Sequence, residues 1–123
     1  MDLRMRQPAS DRPSYTVKQT KTIMADPLIR ARLFTLAPRE IIPWHRHSEV
    51  TDHYFVLEGI LTVETRPTNR CQELTIGDHF QITPGTDHTL ANRGASDCQF
   101  LLLQGAGRYD WIDSQRQSDE SSL

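Results

Sequence analysis

Three histidines and one aspartate stand at the spacings of a four-ligand metal site. The first cluster is Trp44-His45-Arg46-His47, with Asp52 five residues on and Gly59 seven further. The second is Gly77-Asp78, Thr83-Pro84-Gly85, His88 and Asn92. Imidazole nitrogen and carboxylate oxygen together suit a divalent transition metal. An isolated His on an apolar strand is more often a hydrogen-bonded core residue. Two clusters about forty residues apart, each framed by turn-forming Gly and Pro, are stronger evidence. His45 and His47, two apart, point to one face of a strand, so both imidazoles reach one ion. Asp52 lies an odd number of residues beyond His47, so a turn or bulge through Ser48-Glu49-Val50-Thr51 has to restore the parity. His88 is delivered by a different strand. Three neutral imidazoles and a carboxylate leave one or two positions open for water or substrate. Such an opening separates a reactive site from a closed structural one.

The elements that must position these residues read as short strands. Strand character covers Tyr15–Gln19, Leu28–Leu36, Ile41–Trp44, Thr51–Leu57, Ile60–Thr65, Gln72–Ile76, Phe80–Ile82, His88–Ala91 and Gln99–Leu103. Breakers such as Asp26-Pro27, Pro38-Arg39, Gly77-Asp78, Pro84-Gly85 and Asn92-Arg93-Gly94 separate most of them. Evenly spaced short strands predict an all-β sandwich or barrel. Leu28–Leu36 reads as a half-exposed strand, with Arg30 and Arg32 opposite to Ile29 and Leu33. Both faces of Thr51–Leu57 are largely apolar, as for a strand between the barrel interior and a second packed layer. A helical period is limited to one turn near Tyr109–Ser114. Residues 15–112 are expected to form the domain, with a flexible arm at 1–14 and a polar, disordered tail at 113–123.

Other residues near the clusters carry weaker signals. Tyr54 shares the Asp52 face, either as a hydrogen-bond donor lining the pocket, and so a candidate catalytic residue, or as barrel filling. Glu49 is expected to be a solvated loop charge. His53 and His79 are expected to be structural or on the surface, and Trp44 to pack outside the barrel. The segment from Gln104 to Trp111 is Gly-rich but lacks a strand–Gly–helix phosphate motif. It is expected to leave the barrel with its aromatics closing one end.

Bulk properties narrow the classes. The chain has 123 residues, a formal net charge of −2 and a pI near 6.2. That size supports one core, and that charge gives no reason to expect nucleic acid or an anionic membrane as partner. No run approaches the ~18 apolar residues of a bilayer span. The polar start lacks a secretory h-region, so a cytoplasmic protein is expected, with Cys71 and Cys98 as reduced thiols.

The two clusters resemble the motifs of the cupin superfamily. Its first motif runs Gly, five residues, His-x-His, three or four residues, Glu, six residues, Gly. Here Arg39, His45, His47, Asp52 and Gly59 stand at those positions. Its second runs Gly, five residues, Pro-x-Gly, two residues, His, three residues, Asn. Here these are Gly77, Thr83-Pro84-Gly85, His88 and Asn92. The chain is similar to small single-domain cupins. The resemblance implies a six- to eight-stranded jelly-roll barrel with metal inside. It implies His45, His47 and His88 as ligands, with Asp52 in place of the Glu. Aspartate is one methylene shorter, so three arrangements stay open: direct ligation, ligation through water, or a three-histidine site.

The resulting expectation is a small metal-dependent enzyme acting on a small organic molecule, of dioxygenase, isomerase or lyase type. The ion is Fe, Mn, Ni, Zn, Co or Cu, since this donor set accepts each. A non-catalytic ligand- or metal-responsive sensor module is the alternative. A homodimer is expected, because stand-alone cupins commonly pair and an edge strand invites it.

Overall fold

The computed structural model describes residues 15–114, so the expected arm and the expected tail beyond 114 lie outside the described residues. Ten strands follow in order: β1 (Gln19–Ala25), β2 (Arg30–Leu36), β3 (Ile41–Arg46), β4 (Thr51–Glu58), β5 (Leu61–Arg66), β6 (Arg70–Leu74), β7 (His79–Ile82), β8 (Asp87–Ala91), β9 (Cys98–Gly105) and β10 (Ile112–Asp113). They form two antiparallel five-stranded sheets, ordered β1-β2-β9-β4-β7 and β10-β3-β8-β5-β6. The fold is all-β, as expected.

Two elements differ from the sequence reading. Strand pairing starts at Gln19, not Tyr15, and runs on to Ala25. Tyr15 instead stacks on Trp111, with ring centroids 5.3 Å apart. All seven residues of β1 are exposed, which explains why it carries no alternation to read. The expected helical turn near Tyr109–Ser114 is replaced by β10, which pairs with β3. Asp113 therefore belongs to a sheet and Ser114 is buried, two residues beyond the expected end of the domain. The ten strands exceed the six to eight that the resemblance implies.

Period-2 alternation builds the interior. β9 alternates without a break, burying Cys98, Phe100, Leu102 and Gln104. Across the first sheet, Phe34 pairs with Phe100 and Phe100 with Val56. The two Phe rings stack at 5.2 Å. From the second sheet Ile42, Leu61, Val63, Leu74 and Leu90 close the same core. Each large apolar side chain so buried contributes about 1.5–3 kcal/mol, and this apolar half fixes the sheets on which the polar half is mounted. The outer face of β4 has no second layer among the described residues. Leu57 is 47% exposed, and His53, Phe55 and His79 stack on one another there.

The turn residues explain the motif spacing. Gly59 has φ +75°, and a Cβ there would lie 2.4 Å from the Asp97 carbonyl oxygen. Gly59→Ala is therefore expected to cost about 1–3 kcal/mol from backbone strain alone, more with the clash, read as a lower midpoint of urea unfolding. An unchanged midpoint would contradict this turn geometry. Asn92 is fully buried. Its Nδ2 donates to the Leu36 and Ser96 carbonyls, and its Oδ1 accepts from Gly94 N. It ties the end of β8 to the chain leaving β2. Arg39 adopts φ +75° where the motif has glycine, so the departure is a strained turn residue.

Candidate metal centre

The site is assembled from both sheets. β3 pairs Ile42 with Leu90 and His45 with His88, three residues against two. The extra residue is a bulge at Pro43-Trp44, which turns His45 inward beside Ile42. His47 follows in the loop, on the same side. The chain then crosses to the first sheet, where Asp52 opens the inward set Asp52, Tyr54, Val56. The turn at 48–51 thus changes sheets, and parity along a single strand does not apply. His88 points in from β8. Each of the four residues is at most 3% exposed, and their donor atoms lie within 4.8 Å of one another.

Three backbone carbonyls set the imidazoles. Nδ1–H of His45 donates to Pro43 O at 2.7 Å, that of His47 to Asp110 O at 2.5 Å, and that of His88 to Thr86 O at 2.8 Å. A carbonyl accepts only, so the hydrogen of each neutral ring sits on Nδ1 and each Nε2 carries a lone pair. Two of these face the carboxylate: His88 Nε2 lies 3.2 Å and His47 Nε2 3.4 Å from Asp52 Oδ2. The His88 contact is not aligned as a hydrogen bond, and its Nε2 is a buried atom without a hydrogen-bond partner. Gln104 Nε2 reaches His47 Nε2 at 3.5 Å, but His88 Nε2 and Asp52 Oδ2 face each other as two acceptors in a buried site, and a cation between them would satisfy both. The donor set fits a divalent transition ion on that ground.

The carboxylate is held from behind. The Tyr54 hydroxyl donates to Asp52 Oδ2 at 2.6 Å, and Gln104 Nε2 donates to Oδ1 at 2.9 Å. Gln104 and Asp52 are cross-strand partners on β9 and β4. Burial, reinforced by Asp52, pushes the Tyr54 hydroxyl well above the ordinary phenol value, so it stays protonated and acts as a donor. Aromatic rings cover the histidines: Trp111 stacks on His45 at 3.8 Å, and the Tyr109 ring lies 5.2 Å from that of His47.

Titration follows from burial. Loss of water holds His45 well below the ordinary imidazole value, helped by His88 and His47 beside it. For Asp52 burial pushes upward, but the His47 and His88 imidazoles, once they carry a proton on Nε2, outweigh it and hold the carboxyl well below the usual range. In the unfolded chain His45 takes up its proton near pH ~6.5, and the native site resists it. The metal-free fold therefore loses stability as pH falls below about 6.5. Asp52 adds stability that is present above pH ~3.9 and lost as pH drops through its lower native value. Thermal melts of metal-free protein should be level between pH 7 and 8 and fall steadily below 6.5. A melting temperature unchanged from pH 7 to 5 would count against buried neutral imidazole.

The bystanders separate cleanly. His53 and His79 share a 3.0 Å hydrogen bond on the outer face of the first sheet. Glu49 is exposed and accepts from Arg108 N. Trp44 lies on the outer face, under the Arg66 guanidinium. A groove of about 560 Å³ between Ile41, Trp44, Glu64 and Arg93 also lies on that outer face, across the sheet from the histidines. Cys71 and Cys98 are free, and burial pushes the Cys98 thiol up to about 11.

The family described as "Cupin domain" matches residues 32–104, which is more than half of the chain and spans all four candidate ligands. The chain is a cupin. No curated protein sequence matches it. Among solved structures, this cupin is similar to an uncharacterized conserved protein with a double-stranded β-helix domain from Klebsiella pneumoniae. The TM-score is 0.70 at 19% identity, over 84% of this chain and 89% of that one. It is similar to KdgF from Halomonas sp., with a TM-score of 0.66 at 18% identity over 77% and 87%. An oxalate oxidase matches with a TM-score of 0.63 at 20% identity, over 69% of this chain and 45% of that one. At these identities the likeness shows the fold.

Three inward-facing residues near the cluster differ from the sequence reading. Gln104, expected in the segment leaving the barrel, is the last inward position of β9, and its even spacing from Phe100 and Leu102 is the signal for it. Arg30 and Arg32 share the parity of Phe34 and Leu36, so they lie on the inward face of β2, opposite to the exposure expected.

Proposed function

We propose that this cupin is a small metal-dependent enzyme that acts on a small organic molecule inside the barrel. One divalent transition ion is held by His45, His47, Asp52 and His88. The observation that carries the reading is the set of three Nδ1–carbonyl bonds, which aim three Nε2 lone pairs at the space beside the Asp52 carboxylate. The bound ion would supply Lewis acidity or a seat for O₂ next to the substrate. Tyr54 and Gln104 are positioning residues, fixing the orientation and charge of Asp52. Trp111 and Tyr109 keep bulk water from the imidazoles. The similar oxalate oxidase is an enzyme by name, in accord with this reading.

Untagged protein purified without chelator is expected to carry close to one ion per chain by elemental analysis. Metal-free protein titrated with Mn²⁺, Fe²⁺ or Zn²⁺ should gain about 2.7 kcal/mol at a hundredfold excess over Kd. Resident Fe or Mn would favour oxygen chemistry, and Zn or Ni isomerase or lyase chemistry. Neither resident metal nor a stabilising titration would sink the proposal.

The same reading includes a homodimer. β1 is the edge of its sheet and exposed throughout, with Ile23 at 53% and Met24 at 52%. Pairing with a second copy covers such an edge. Light scattering at micromolar concentration should give twice the chain mass, and Ile23→Lys should shift it toward monomer. A wild-type monomer would refute it.

A further inference from the structure

The mouth above the candidate ligands carries two guanidiniums that the proposed metal site does not use. Arg30 and Arg32 extend the inward face of β2 beyond Phe34, and both are only partly exposed. Arg30 is the cross-strand partner of Gln104, which in turn faces Asp52. Arg32 Nη2 donates to Gln104 Oε1 at 2.8 Å, and the other end of that amide donates to Asp52. One side chain therefore separates Arg32 from the carboxylate of the metal cluster. Tyr109 links the groups from above. Its ring centre lies 3.9 Å from Arg30 Cζ and 5.4 Å from Arg32 Cζ, and the same ring stands against His47.

These two charges are unbalanced. Among the described residues neither arginine forms an ion pair with a carboxylate. The acids nearest in the chain to this mouth are engaged elsewhere: Asp110 accepts from Ser48 N and Oγ, and Glu49 from Arg108 N. Arg32 Nε is a buried donor without a hydrogen-bond partner. Holding like charges together in a half-dry mouth is costly unless an anion completes them. A bound divalent ion adds positive charge that Asp52 alone does not neutralise.

We infer that Arg30 and Arg32 bind a carboxylate group of the cupin's ligand, placing a small organic acid between the guanidiniums and the metal. The inference rests on the metal-site reading for the second end of that ligand. A carboxylate suits the geometry because its two oxygens lie in one plane with a guanidinium edge. Arg32 already spends Nη2 on Gln104 and keeps Nε free. The Tyr109 ring lies against the Arg30 guanidinium and restrains it.

The test uses the full chain loaded with Zn²⁺, with calorimetric titration at constant ionic strength. Acetate, glycolate, malonate and benzoate are compared with acetamide, glycolamide, inorganic phosphate and chloride. At least one carboxylate should bind saturably, with its amide weaker by about tenfold or more, since a hydrogen bond to a charged group contributes about 1.5–3 kcal/mol. Arg30→Gln should weaken that carboxylate by a similar factor while metal content stays at the wild-type value, and Arg32→Gln should weaken it likewise when measured at saturating Zn²⁺. Should Arg32→Gln not fold, Arg32→Lys tests the same point, keeping the charge and losing the planar edge. Carboxylate binding that is unchanged in the arginine variants would place the anion on the metal alone and overturn the inference. So would binding no stronger than chloride, or phosphate binding more tightly than every carboxylate. A chain that takes up no Zn²⁺ yet binds a carboxylate through Arg30 would refute the metal reading and leave the anion site standing.

Discussion

His88→Ala and His47→Ala should each strip most of the metal from the protein and leave the β fold intact. Altering a residue that only supports a ligand commonly weakens binding 10–100-fold, and removing the ligand itself should exceed about 100-fold. The fold should survive because the apolar half of the interior, from Phe34 and Phe100 to Leu61 and Leu90, is built without the three histidines. His88→Ala leaves a cavity, but it also removes a buried Nε2 that has no hydrogen-bond partner in the metal-free protein. His53→Ala and His79→Ala remove an outer-face pair and should leave metal content near wild type. Elemental analysis and circular dichroism on the same samples decide it. Loss of metal in His53→Ala with retention in His47→Ala would mean that β4 and the preceding loop are placed in the wrong register.

Asp52→Ala is expected to lower metal affinity by a comparable factor, since an anionic ligand and its charge disappear together. Its neighbours make the prediction sharper. Tyr54→Phe deletes the 2.6 Å bond to Oδ2 without touching the cluster's donor atoms, so affinity should fall about 10–100-fold with the fold kept. Gln104→Leu should act in the same direction through Oδ1. Asp52→Glu restores the usual family ligand and should retain metal. The longer side chain must be fitted between Tyr54 and Gln104, at a cost of about 1–3 kcal/mol in stability. Glu49→Ala should change little, because that side chain is exposed and bonded to Arg108 N. Metal titrations followed by calorimetry give all five values. If Asp52→Ala and Tyr54→Phe both bind metal as wild type does, the site is three histidines with water, and Asp52 only orients an imidazole.

The sequence by itself determined the parts of this protein that are local. His-x-His on an extended chain puts two imidazoles on one side whatever surrounds it, and Gly59, Gly85 and Pro84 mark turns through their own backbone limits. Those signals carried the all-β class, the cupin membership and the four residues that converge. Tertiary structure decided the rest. Asp52 comes from the sheet opposite to His45 and His88, because the turn at 48–51 crosses between sheets. The inward face of β2 carries Arg30 and Arg32, and that of β9 ends in Gln104. Alternation shows that a strand has two faces, and in β2 both faces contain apolar residues. Which one is interior is fixed by pairing between β2 and β9, some seventy residues apart in the chain. That pairing brings Phe34 onto Phe100 and buries both, so the arginines two and four residues earlier follow them inside.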